Sequence, residues 1–138
     1  MSQNAYAYLL VLRWVVAFVF FANGVPKLYD PGFGIDADQF FPTLLDDVIF
    51  KPYKIVLKDL VIPNAPIFAS LVKYGEIALA VTFLMGWPLR FATMTATFLH
   101  LNYLCIASFP TFIYLNILMI AAEWACLHVF EKNNAVAK

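Results

Sequence analysis

The chain has 138 residues, 63% of them hydrophobic and 13% charged, with a mean hydropathy of +0.78. Soluble domains are nearer half apolar and a quarter charged, so this composition excludes that class and points to an integral membrane protein. Nine basic and nine acidic residues cancel, which removes the electrostatic basis for a nucleic-acid partner, and the length leaves room for a single domain, 1–138.

After a short polar start, Met1–Ala7, the first apolar run covers residues 8–26. A helix needs about 20 mostly apolar residues to cross the hydrocarbon core. Arg13 lies inside this run and Lys27 follows it, with no small-residue cleavage site, so it reads as a retained helix and not a removed signal.

Residues 27–64 form the one long connection and hold six of the nine acids, Asp30, Asp36, Asp38, Asp46, Asp47 and Asp59. Pro31-Gly32-Phe33-Gly34 marks a turn at its start. Phe40-Phe41, Leu44-Leu45 and Val48-Ile49-Phe50 recur at helical spacing, which predicts an amphipathic helix lying in the membrane interface. A second short helix is expected over Tyr53–Leu60.

Three more spanning helices follow, at residues 65–88, 91–110 and 112–130. They are separated only by Trp87-Pro88-Leu89-Arg90 and Pro110-Thr111. Turns this short force antiparallel neighbours. The expected fold is therefore all-α: an integral membrane antiparallel four-helix bundle with a long amphipathic loop between helices one and two. Both termini and Arg90 fall on one side and the acidic loop on the other. Lysines and arginines nearly balance across the two sides, and Arg13 tips the count toward cytoplasmic termini.

Cofactor and metal signatures are few. Cys105 and Cys126 lie near the ends of antiparallel helices three and four, at opposite faces, so both are expected as free thiols. His100 and His128 differ in depth by about 12 Å at helical rise, too far for one haem iron, and no Cys-x-x-Cys-His motif is present. No metal-ligand spacing appears. The expectation is no metal and no covalent cofactor.

Five residues inside the apolar runs carry the functional argument: Arg13, Lys73, Glu76, His100 and Glu123. Each costs on the order of 3 kcal/mol at mid-membrane on insertion scales. At 100° per residue, Arg13 shares a face with Ala17, Phe20, Gly24 and Lys27, and His100 shares one with Arg90, Thr93 and Thr97. Asn116 and Glu123 are seven apart on one face, and Lys73 and Glu76, three apart, can pair along their helix. Glu76, His100 and Glu123 each fall about 15 Å from a membrane face, near the midplane. Two readings fit this cluster. One is a quinone, proton-transfer or other substrate site; the other is a polar network that pins helix packing.

Arg13, an aromatic-rich helix ending Asn23-Gly24-Val25-Pro26-Lys27, then Glu76, then Gly86-Trp87-Pro88-Leu89-Arg90, resembles the DoxX/DoxD-like family of small four-helix membrane proteins. That family's R…G..K pattern, mid-helix glutamate and G…R turn are matched at Arg13, Gly24, Lys27, Glu76, Gly86 and Arg90. The resemblance implies a component of a membrane redox system. One branch is the small membrane subunit of thiosulfate:quinone oxidoreductase, but no sulfur-handling cysteine pair marks that branch here, and thiosulfate chemistry would rest on analogy alone.

The leading expectation is a small membrane subunit of a quinone-linked redox complex in a bacterial inner membrane. Its pocket would be lined by Arg13, Lys73, Glu76, His100 and Glu123, with Phe18, Phe98 and Tyr74 forming an apolar slot for the quinone ring. The lipid bilayer and other membrane or redox subunits are the expected partners. The rival is a non-catalytic accessory subunit of a larger respiratory or photosynthetic assembly. A small transporter is disfavoured, because no inverted repeat or broken helix is evident.

Overall fold

The structure, a computed structural model, describes residues 3–106 and 109–136. Among these the chain is helical throughout, joined by turns, with no strand. Six α-helices occur in chain order: α1 (Gln3–Tyr29), α2 (Ala37–Thr43), α3 (Tyr53–Val56), α4 (Ala65–Met85), α5 (Leu89–Ile106) and α6 (Pro110–Val136). Tyr6–Tyr29, Tyr53–Met85 and Pro110–Lys132 are long and apolar enough to cross a membrane. α5 is not among them, because Arg90, His100, Asn102 and three threonines dilute its apolar residues.

The helix ends follow local chemistry. α1 continues through Pro26 to Tyr29, past the expected end at residue 26, because a proline in the last turns removes only its own N–H. α4 stops at Met85 rather than residue 88. Gly86 takes the left-handed conformation, φ 79°, and its N–H bonds to the Thr82 carbonyl at 2.8 Å. α5 starts at Leu89, two residues before the expected 91, while residues 107–108 of the expected third helix lie outside the described residues. α6 opens on Pro110, a residue suited to a first helical turn, and runs past 130 to Val136.

The long connection departs further from expectation. The amphipathic helix is confined to α2, with Ala37 and Phe41 buried, and the chain turns through residues 44–46. Ile49 and Phe50 then donate their backbone N–H groups to the Cys105 carbonyl at the end of α5, at 3.1 and 3.4 Å, instead of continuing a helix. α3 runs through a π-helical turn (Leu57–Val61) and a 3₁₀ turn (Ile62–Asn64) into α4. The expected short helix and helix two are thus one helical run, altered in pitch where Pro63 and Pro66 withhold donors.

α1 packs along α4, and α5 along α6, so the bundle consists of two helix pairs placed side by side. Small residues let the pairs approach: Ala17, Ala80, Ala92 and Ala96 are all buried in one core with Phe20 and Phe83, whose rings stack at 5.9 Å. A second core, built from Phe41, Val48, Leu57, Val61, Ala65 and Ala69, joins the 31–64 segment to the end of the bundle. Tyr53 Oη donates to Asn102 Oδ1 at 2.6 Å and ties this cap to α5. Polar residues Glu76, Thr93, His100, Asn116 and Glu123 are buried, while Trp14, Phe18, Leu71, Met94 and Leu118 face outward. Apolar outside and polar inside is the distribution a bilayer solvent selects.

Candidate functional site

Each helix pair buries one carboxylate and sets a base of its own beside it. In the α1/α4 pair the carboxylate is Glu76, 1% exposed. Lys27, in the last turn of α1, places its ammonium 2.7 and 2.6 Å from the two carboxylate oxygens. Tyr103 of α5 donates its hydroxyl to Glu76 Oε1 at 2.5 Å, crossing from the other helix pair. The Lys27 ammonium also lies 5.4 Å from the Phe33 ring centroid and 5.6 Å from that of Tyr103, within cation–π range. One carboxylate thus receives three donor contacts in an apolar bundle, which is what keeps a buried charge affordable.

Gly24 makes that geometry reachable. A Cβ built on it would lie 3.1 Å from both Glu76 Cβ and Ile77 Cγ1. α1 therefore crosses α4 at backbone contact, and Lys27, one turn further along α1, arrives at Glu76.

The α5/α6 pair holds the second carboxylate. Glu123 is fully buried, and its Oε1 lies 2.9 Å from His100 Nε2. Apart from that contact, neither oxygen of Glu123 has a hydrogen-bond partner among the described residues. On the other side of the ring, His100 Nδ1 is 2.7 Å from Asn116 Oδ1. The imidazole also packs on Phe20, centroids 5.4 Å apart, and on Tyr103 at 6.3 Å, which joins the two carboxylate sites through aromatic contact.

Of the five residues singled out from sequence, Glu76, His100 and Glu123 lie in the bundle interior, while Arg13 and Lys73 lie apart from them. Lys73 does not pair with Glu76 along α4. It donates to the Phe33 carbonyl at 2.9 Å and lies over the Tyr74 ring, so it holds the start of the cap. Arg13 lies at the opposite end of the α1/α4 seam, donating to the Leu84 carbonyl at 3.4 Å and covering Gly86. A cation there meets the negative end of the α4 dipole. Arg90 is exposed and pairs with Glu131 across α5 and α6. The expected slot residues point outward: Phe18 is 70%, Phe98 69% and Tyr74 59% exposed. Tyr74 lines an open groove of about 620 Å³ on the outer face of α4, away from the polar cluster.

Lys27, Tyr103 and Asn116 lie outside the five expected site residues. Lys27 falls at the start of the expected long connection, although its place on the Arg13–Gly24 face points to the seam, and it lies in the last turn of α1. Tyr103, three residues after His100, shares its side of α5. Cys105 and Cys126 are free thiols. Among the described residues no group of three or more His, Cys, Asp or Glu is arranged to hold a metal.

An all-helical chain with membrane-length apolar helices and buried carboxylate–base pairs defines a small integral membrane protein. The DoxX family profile matches residues 8–109, most of the chain, and the chain belongs to the DoxX family. The match includes Gly24, Lys27, Glu76, Gly86, His100 and Tyr103 and stops before Asn116 and Glu123. No curated protein and no solved structure matches the chain.

Proposed function

We propose that this DoxX protein is the small membrane subunit of a redox complex, and that the Lys27–Glu76–Tyr103 cluster is its quinone-accepting or proton-handling site. The observation that carries the reading is the convergence of an ammonium and a phenol on one buried carboxylate. Buried ionisable groups in membrane helices are costly, and function is the default reason for them. Membership of a family often associated with oxidoreductase-related function points the same way.

The donor set suits a quinone: Lys27 has a third N–H beyond its two contacts to Glu76, Tyr103 can donate to a carbonyl oxygen once its hydroxyl turns from Glu76, and the Phe33 and Tyr103 rings beside Lys27 offer apolar faces. A bound quinone would supply two-electron, two-proton redox chemistry. This chain's part would be to orient the ring, exclude water beneath the 31–64 cap, and hold a proton at Glu76 or Tyr103. Electrons would come from a partner subunit. In this reading all four long helices cross a bacterial inner membrane, with the termini and Arg90 cytoplasmic and the cap on the outer side.

The rival reading is an accessory subunit whose polar pairs only pin the helices. It is favoured by the way each interior carboxylate is already matched by a base within its own helix pair. Purification in mild detergent from native membranes separates the two. The first reading expects a stoichiometric partner carrying flavin, haem or iron–sulfur centres, with quinone-reducing turnover that falls at least tenfold in E76Q while assembly is retained. A partner whose quinone turnover is unchanged in assembled E76Q supports the accessory role and contradicts the first.

A further inference from the structure

The α5/α6 pair holds a titratable couple that the Glu76 cluster does not use and that extends beyond the family match. Its ring tautomer follows from hydrogen-bond chemistry. Asn116 Nδ2 donates to the Phe112 carbonyl one turn earlier on α6, at 2.7 Å. That turns Asn116 Oδ1 toward His100 Nδ1, also at 2.7 Å. An amide oxygen only accepts, so Nδ1 carries a hydrogen. The remaining nitrogen, Nε2, faces Glu123 Oε1 at 2.9 Å, and one proton between them completes the contact. That proton can lie on nitrogen, giving imidazolium and carboxylate, or on oxygen, giving neutral imidazole and carboxylic acid. The net charge of the couple is zero either way.

Which form prevails depends on the charges around it. From α1 come Lys27, bound to Glu76, and Arg13, at the far end of the seam against the Leu84 carbonyl. From α4 comes Glu76, whose partner Tyr103 packs edge-on against the His100 ring at 6.3 Å. α5 contributes Tyr103 against the imidazole, and α6 contributes Glu123, facing Nε2, and the buried Cys126 three residues further on. The anion at Glu76 favours a cation at His100. Without it, two charges remain in a low-dielectric interior with little besides each other, and among the described residues Glu123 has no donor other than His100 to stabilise its charge.

We propose that His100 and Glu123 form a second proton-binding site, whose single shared proton rests on His100 while Glu76 is anionic and crosses to Glu123 when Glu76 is neutralised. In the crossing the Nε2–H bond breaks and an Oε1–H bond forms. No electron and no further proton is involved. The two carboxylate sites are then electrostatically linked, so a charge change at one is answered by a proton movement at the other. This holds whether or not a quinone binds.

The test uses ¹⁵N-histidine-labelled full-length protein in lipid bilayers, carrying H128Q so that His100 is the only histidine. His128 is exposed and lies outside both sites. Nitrogen NMR is expected to show both His100 ring nitrogens protonated when Glu76 is present. In E76Q, which leaves Lys27 as an added repulsive cation, Nδ1 should stay protonated and Nε2 lose its hydrogen. A carboxylic-acid infrared band should appear at the same time and vanish on adding E123Q. The double variant K27Q/E76Q leaves no unpaired buried charge at the first site and is read in the same way should E76Q alone fail to fold. A neutral ring already present with Glu76 intact, or an imidazolium that persists in either folded variant, overturns the proposal.

Discussion

Gly24 and Glu76 are in backbone-distance contact: a methyl group added at residue 24 would lie 3.1 Å from the Glu76 Cβ. The helix seam, and with it the Lys27–Glu76 ion pair, depends on that missing side chain. Alanine gains up to about 1 kcal/mol of helix propensity over glycine, but here it must push α1 away from Glu76 and Ile77. Gly24→Ala is expected to be neutral to mildly destabilising. Gly24→Leu, which cannot fit the seam, should cost about 1–3 kcal/mol. Unfolding in mixed detergent micelles measures both, and a Gly24→Leu variant as stable as the parent would contradict the close crossing.

The ion pair itself predicts a non-additive cycle. Lys27→Met leaves Glu76 buried beside a phenol alone, a loss typically costing about 3–5 kcal/mol. Lys27→Met with Glu76→Gln removes both charges and should be more stable than Lys27→Met by itself. An equal effect of Glu76→Gln in the parent and in the Lys27→Met background would mean that the pair is not coupled.

At the other end of the seam, Gly86 has φ 79° and carries the Arg13 guanidinium where a Cβ would be. Gly86→Ala therefore combines left-handed strain of about 1–2 kcal/mol with displacement of Arg13. Combined with Arg13→Ala, the displacement part disappears. The Gly86→Ala cost should be smaller in the Arg13→Ala background than in the parent, and strict additivity of the two would refute the contact.

The cap over residues 31–64 is tied down by Tyr53–Asn102, Lys73–Phe33 and the two N–H groups on the Cys105 carbonyl. Tyr53→Phe removes one tie, a hydrogen bond contributing about 1 kcal/mol. Limited proteolysis of protein in nanodiscs should show the parent cap protected and the variant cut faster within the segment. Equal and rapid cleavage of both would show that the cap does not dock as described.

The apolar runs made the membrane class and the helical fold legible, because hydropathy over 20 residues is a strong one-dimensional signal. Glu76, His100 and Glu123 were legible as interior residues for the same reason: charge in an apolar run has few places to go. What sequence did not yield depends on the crossing of two helices. Lys27 reaches Glu76 over 49 positions only because Gly24 sets the distance between α1 and α4. Lys73, three residues from Glu76, looked like the closer partner, but its flexible side chain turns toward the Phe33 carbonyl. Phe18, Phe98 and Tyr74 illustrate a further limit. Aromatic residues in a membrane helix suit the lipid face as well as a slot, and composition cannot tell the two apart.

Whether α5 crosses the membrane is decided by labelling. With C105S and C126S as background, single cysteines are placed at Ile35, Trp87 and Phe109, all well exposed. Four crossings put Ile35 and Phe109 in one compartment and Trp87 in the other. Trp87 and Phe109 reacting from the same side would limit the chain to three.

Glu76, held by Lys27 and Tyr103, is the group we propose to answer quinone redox chemistry. The most direct measurement is the infrared difference spectrum of the protein in lipid with decylubiquinone, oxidised minus reduced. A carboxyl band that changes between the two states and is absent from folded E76Q is the predicted result. A protein spectrum that does not change with quinone redox state, or a carboxyl band that survives in E76Q, would contradict the account.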